Sequence, residues 1–349
     1  MDVFQSKVPG HPEVGLSDSR LQPTPDYGKL GSGLDLALEP VFQSNSSLQL
    51  RSCLRLLQAG AVMAGIGLAV AVSNAGGMGS IWGKLSNSSA PGRNFSEPPP
   101  AFSETELDRR KPQEQAEMLL ERAVSHSDGA TGQIEARVDG WRGKLQWNNQ
   151  LGQLTTAALN SNDTIVRNSA IEVQLAAYGL TKNQSTVEAL VQQARSLDHS
   201  KKIWALWNLG LLANRGIETD LVVQVLTSHL NNFDRGADHT SEDSRRWAVA
   251  GLALVGTTPT IAPLLDAMHN DPSPMVRERA ACSLAEAGML THDQRRIAVP
   301  RLIDYSDDPV LDTQTRGWAF QALADITGQR LPNDSAAWRS WYQNSGAEN

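Results

Sequence analysis

From residue 111 to the C-terminus, apolar residues recur three and four positions apart and no strand-like alternation competes with them. This pattern predicts helices at 112–126, 133–145, 150–160, 163–179, 184–196, 199–213, 217–231, 241–256, 260–269, 273–288, 293–305, 311–327 and 334–343. The breaks fall at glycines and at Asp163, Ser241, Asp271 and Asp334, whose side-chain oxygens can take up the orphan amides of a helix start. Four of these helices repeat one line: a basic residue, an alanine, a leucine four further on, and a small residue four after that. The copies are Lys202…Ala205…Leu209…Ala213, Arg245…Ala248…Leu252…Gly256, Arg277…Ala280…Leu284…Gly288 and Arg316…Ala319…Leu323…Thr327. Alanine and leucine four apart share a helix face, and the small residue lets a neighbouring helix come near. Their alanines lie 43, 32 and 39 residues apart, the period of a two-helix unit that stacks into a solenoid. The fold class that follows is all-α: an α-solenoid, or superhelix, of stacked antiparallel helix pairs.

The first 110 residues do not share the pattern. Residues 1–50 are rich in Pro and Ser with scattered charges, the composition of a disordered tail, although Leu34–Leu38 followed by Pro40-Val41-Phe42 has the form of a short docking motif. Leu56 to Gly83 contains no charge and is flanked by Arg51, Arg55 and Lys84, so 51–83 reads as a single transmembrane helix region. Arg51 and Arg55 tip the positive-inside count towards a cytoplasmic N-terminus, with the repeats outside the cytoplasm. Ala61, Gly65, Ala69 and Ser73 recur every four residues and would suit self-association in the bilayer. Residues 84–110 form a Ser/Pro-rich linker, and 111–349 the repeat domain, closed by a cap at 330–343.

The best copy of the line runs Asp271-Pro272, then Val276-Arg277, Ala280-Ala281, Leu284 and Gly288. It resembles the HEAT-like repeat family, in its shorter bacterial form, which includes the HEAT-like lyase subunits. The copies at 202, 245 and 316 keep Ala and Leu but lose Asp-Pro or Val, and Ile165-Val166-Arg167 to Gly179 fits with a one-residue slip. Asp334 to Tyr342 looks like the segment that closes such arrays. The resemblance implies a scaffold for another protein or peptide. Two other implied readings stay open: a module that binds a small molecule of tetrapyrrole type, or assists a lyase acting on one, and a purely structural spacer.

Chemistry is sparse. None of the seven histidines is paired at helical spacing or followed by Glu, so neither a His-Glu-x-x-His zinc site nor the di-iron pattern of HEAT-type hydroxylases is present. Two cysteines are too few for a disulfide framework. Phosphate-binding and dinucleotide glycine motifs are missing. The carboxylate pairs Glu242-Asp243 and Asp307-Asp308 fall where turns between helices are expected, a capping position rather than a catalytic one. The formal net charge is −7 and no basic run exceeds two residues, which disfavours nucleic acid even if Lys202, Arg246 and Arg279 were gathered on one surface. The expectation is a non-enzyme without metal or cofactor.

All but one of the nine tryptophans lie beyond residue 110. Trp204, Trp247 and Trp318 stand one residue before the anchoring alanine, and Arg279 holds that place in the fourth copy. Equivalent positions in stacked helices form a line, so these four are the candidate protein-binding residues. Tryptophan dominates binding hot spots and also fills space between helices. Asn208, Gly251 and Ala322, four residues on, leave room for a ring, which favours packing for at least two of the three tryptophans.

Overall fold

The computed structural model describes residues 104–231 and 239–345. They form a short helix α1 (Glu104–Asp108) and then α2 (Pro112–Val124), α3 (Ala130–Trp141), α4 (Asn149–Leu159), α5 (Thr164–Ala177), α6 (Gln184–Ala194), α7 (His199–Asn214) and α8 (Thr219–Asn231). After residues 232–238 come α9 (His239–Val255), α10 (Ile261–Asn270), α11 (Pro274–Ala285), α12 (His292–Arg296), α13 (Val299–Asp307), α14 (Thr313–Thr327) and α15 (Ser335–Ser345). Among the described residues there is no strand. Asn148, Asp163, Asn183, Asp198, Ser273 and Asp312 each cap a helix start by accepting a backbone N–H, so the polar punctuation of the sequence sets the helix starts.

Helices pack as antiparallel pairs: α2 with α3, α4 with α5, α6 with α7, α8 with α9, α10 with α11, and α13 with α14. The second helix of each pair also touches the second helix of the next, from α3 through α5, α7, α9 and α11 to α14, whereas from α6 onward the first helices barely meet. A row that touches beside a row that splays makes a curved stack, with the second helices on the inside of the bend. The four anchoring alanines and their leucines, Ala205/Leu209, Ala248/Leu252, Ala280/Leu284 and Ala319/Leu323, are all fully buried. They form the seam of the C-terminal core. Contact is tightest between α7 and α9, where a Cβ placed on Gly210 would stand 2.6 Å from the Gly251 carbonyl oxygen and one on Gly251 would stand 2.7 Å from that of Leu206.

Two apolar cores run along the stack and meet on α5. Val166, Ala170, Val173 and Ala177 face the N-terminal core, and Ile171, Leu175 and the following Tyr178 face the C-terminal one. At the far end α15 packs on α13. Trp338 is buried there with its indole donating to the Pro332 carbonyl at 3.1 Å.

Several sequence expectations change. Residues 293–305 form two helices rather than one, because Pro300 lacks the N–H an interior turn needs and its ring crowds the carbonyl four residues back, ending α12 at Arg296. The linker assigned to 84–110 already contains α1, whose Leu107 is buried and whose carbonyl accepts from Gln115 Nε2 at 3.0 Å. Glu242 and Asp243 lie within α9, not in a turn. Among the described residues no helix is long and apolar enough to cross a membrane. The tail 1–50, the uncharged run 56–83 and its stripe of Ala61, Gly65, Ala69 and Ser73 lie outside the described residues.

Candidate functional site

The column of four equivalent positions divides. Trp204 on α7 and Trp247 on α9 are buried members of the C-terminal core, while Arg279 on α11 and Trp318 on α14 are only partly buried. Trp204 meets Tyr178 edge-on at 6.0 Å between ring centroids, and Tyr178 leans on Trp147 at 5.0 Å. Trp247 meets Trp207 edge-on at 5.7 Å. The first two rungs therefore join neighbouring repeats, as the small residues at positions 208 and 251 allow. The last two leave a cation and an indole at the surface of adjacent second helices.

A line of charges runs across the same helices one position earlier. On α7 and α9, His199 Nε2 lies 2.9 Å from Asp243 Oδ2, and Asp243 Oδ1 is 3.6 Å from Arg246. On α11, burial pulls the Arg279 guanidinium down to about 10, the nearby Arg246 charge pulls the same way, and Glu278 opposes both. Burial likewise pushes the Glu278 carboxyl up, against Arg246 and Arg279. These charges keep their ionised forms only because they neutralise one another in a partly dry place. Sequence reasoning missed this line. The signal was available, since Arg246 and Glu278 each stand immediately before a column position. Lys202 does not join it: its charge is felt by His229, whose pKa it lowers together with burial and Arg195.

The histidine–aspartate contacts do not form a nucleophile site. His269 Nε2 meets Asp308 at 2.9 Å while its Nδ1 meets Asn270 Oδ1 at 2.6 Å, and His199 Nδ1 has no hydrogen-bond partner. Neither imidazole bonds a serine, threonine or cysteine, which a base activating a nucleophile requires. Among the described residues no three of His, Cys, Asp and Glu gather closely enough to hold a metal ion. The Asp307 and Asp308 carboxylates are occupied by Arg339 at 3.0 Å and by His269.

The arrangement can therefore present a face and hold helices in register. Among solved structures, the crystal structure of an engineered protein, a Northeast Structural Genomics Consortium target, is 18% identical, with 62% of this chain and 90% of that chain covered and a TM-score of 0.28. No curated protein matches this chain. The family model described as HEAT repeats matches residues 235–324. That span holds α9 to α11 and most of α14, the helices carrying the three firmest copies of the repeated line, and it is a HEAT-like helical repeat.

Proposed function

We propose that the chain is a non-catalytic scaffold that holds a protein or peptide partner on the inside of the bend, at α11 and α14. The observation that carries this reading is the division of the column: packing consumes Trp204 and Trp247 but leaves Arg279 and Trp318 partly exposed on neighbouring helices. Arginine and tryptophan are the side chains that most often anchor interfaces, and a partly desolvated site strengthens their contacts. The uncharged run 56–83 would tether this scaffold to a membrane, with residues 84–103 as the spacer.

Proximity labelling by the full chain in its native cell tests the scaffold. The reading expects a defined set of labelled proteins that Arg279→Ala and Trp318→Ala each lose, while both variants keep their melting temperature. Identical sets for wild type and both variants would overturn it. The tether is tested separately by alkaline washing of membranes, which should leave the full chain in the pellet; release into the supernatant removes the tether and leaves the scaffold standing.

A further inference from the structure

Buried indoles in this fold find partners where the fold is only a fold. Trp141 donates to Gln115 Oε1 at 2.9 Å and Trp338 to the Pro332 carbonyl at 3.1 Å. Trp204 and Trp207 are the exceptions: both are more than nine-tenths buried, and neither Nε1–H has a hydrogen-bond partner. Between them in space lies Asn208, which is 0% exposed. Its Nδ2 donates to the Trp204 carbonyl at 2.8 Å, which fixes the orientation of the side-chain amide and leaves Oδ1 without a donor. Residues 204, 207 and 208 are related by three and four positions, so the two orphan donors and the orphan acceptor share one face of α7. The opposite side of α7 carries the packing anchors Ala205 and Leu209.

The walls of this face are aromatic. Tyr178 stands against Trp204 and Trp147 against Tyr178, at the place where the two cores meet on α5, and Trp247 stands against Trp207 from α9. Burial pushes the Tyr178 hydroxyl up, so it is neutral at physiological pH. The set is peculiar to α7: the positions equivalent to Asn208 are Gly251, Ser283, whose hydroxyl already donates to the Arg279 carbonyl at 2.8 Å, and Ala322. Buried polar groups are almost always paired, so three unpaired ones on one face point to a ligand rather than to packing.

We infer that this face of α7 is a binding site for a neutral secondary amide, held by Trp204, Trp207 and Asn208. A secondary amide has one carbonyl oxygen with two lone pairs, which accepts from both indoles, and one N–H, which donates to Asn208 Oδ1. A charged group is disfavoured because the walls offer aromatic rings and no counter-charge. The amide could belong to the backbone of an extended peptide or to a small lactam. The site is on α7 and does not depend on the partner face at Arg279 and Trp318.

The test uses the full chain labelled with 5-fluorotryptophan, with the Trp204 and Trp207 fluorine signals assigned through Trp204→Phe and Trp207→Phe. The probes are a blocked peptide, N-acetyl-Ala-Leu-Ala N-methylamide, the lactam 2-pyrrolidinone, and γ-butyrolactone, which keeps the carbonyl but lacks the N–H. Both fluorine signals should shift together and saturably with at least one amide, while the lactone binds weaker by about tenfold or more, because Asn208 Oδ1 then stays unpaired. Saturation by the peptide alone assigns the amide to a polypeptide; saturation by the lactam, with or without the peptide, assigns it to a small molecule. Asn208→Leu should remove the preference for amide over lactone. The inference fails if neither amide saturates, as internal water at the face would give, or if the lactone binds as tightly as the lactam. Should Asn208→Leu not fold, the amide–lactone comparison on the wild-type chain decides alone.

Discussion

The Arg245 guanidinium lies in parallel on the Asp271 carboxylate, Nε to Oδ2 at 2.7 Å and Nη2 to Oδ1 at 3.1 Å, with both side chains buried. Arg245 belongs to α9, and Asp271 follows α10, in the next repeat. Asp271 Oδ1 also accepts the Ser273 amide at 2.8 Å, at the start of α11. One repeat on, Arg277 does the same, reaching Asp312 Oδ2 at 2.9 Å and Thr315 Oγ1 at 3.0 Å at the start of α14. The basic residue that opens each repeated line is thus a clasp between repeats, made to the turn that caps the next second helix.

Because the Arg245–Asp271 pair is dry, removing one partner costs more than the pair contributes. Asp271→Ala strands a buried guanidinium and should lower the unfolding free energy by about 3–5 kcal/mol. Arg245→Leu combined with Asp271→Leu should recover most of that loss, since no buried charge remains. Asp312 is about half exposed, so Asp312→Ala should cost about 0.5–2 kcal/mol, largely as a lost helix cap. Denaturant titration of the four variants measures this order. An Asp271→Ala variant as stable as wild type would mean the pair is hydrated in solution.

The glycine that closes two of the repeated lines is required by both conformation and space. Gly256 has φ +64 and a Cβ on it would stand 2.4 Å from the Met289 Cβ; Gly288 has φ +82 and its Cβ would stand 2.3 Å from the Ala253 carbonyl oxygen. That carbonyl accepts the Met289 amide at 2.8 Å, so the chain after α11 is pinned to the end of α9. Gly256→Ala and Gly288→Ala should each lower stability by more than about 1 kcal/mol, whereas Gly317→Ala, where a Cβ meets nothing within 4 Å, should be neutral or stabilising. Thermal melting of the three variants checks the contrast.

Much of this was legible in the sequence because a stacked helix pair writes its packing locally. The Ala and Leu four apart had to share a face, and at 205/209, 248/252, 280/284 and 319/323 they are the buried seam. What was not legible depends on contacts between repeats. Nothing at positions 243, 246 and 278 alone says that their charges line up across three helices, or that Asp271 would be dry rather than a solvated cap. The start of the domain was also misplaced. The proline-rich composition of 98–112 masks α1, which is held by Leu107 and Gln115 rather than by any periodicity of its own. At 297–300 the helical pattern of apolar positions continues unbroken, and Pro300 overrides it.

His269 gives the stack a pH dependence of known sign. Burial opposes its charged form, but hydrogen bonds to Asp308 and Asn270 and the Asp308 charge outweigh burial and Arg301, and the imidazole pKa is raised. The stabilisation is therefore fully present below the unfolded value of about 6.5 and is lost as pH rises through the raised folded value. Asp308, held low by the same bond and by the Val310 amide, adds stability only above the ordinary carboxylate range. The clasp between α10 and the end of α13 should hold best in the mildly acidic range between those limits. Melting temperatures across that range and above neutrality should fall for wild type and fall less for His269→Gln. Equal slopes would sink the assignment.

The column is settled by four alanine variants. Trp204 and Trp247 are buried and pack on Tyr178 and Trp207, so each change to alanine removes a large ring from a filled space and should cost about 3–5 kcal/mol. Trp318 is partly exposed and lies against the core rather than in it, so it should cost distinctly less. Arg279→Ala should leave the melting temperature nearly unchanged: the guanidinium is held in a partly dry place next to Arg246, and its removal relieves that repulsion while it unpairs Glu278. Removing Glu278 together with Arg279 should then be no worse than removing Arg279 alone. Four unaltered melting points would place the whole column outside the core, whereas a steep loss on Arg279→Ala would mean that its charge is spent on holding the repeats together and is not available to a partner.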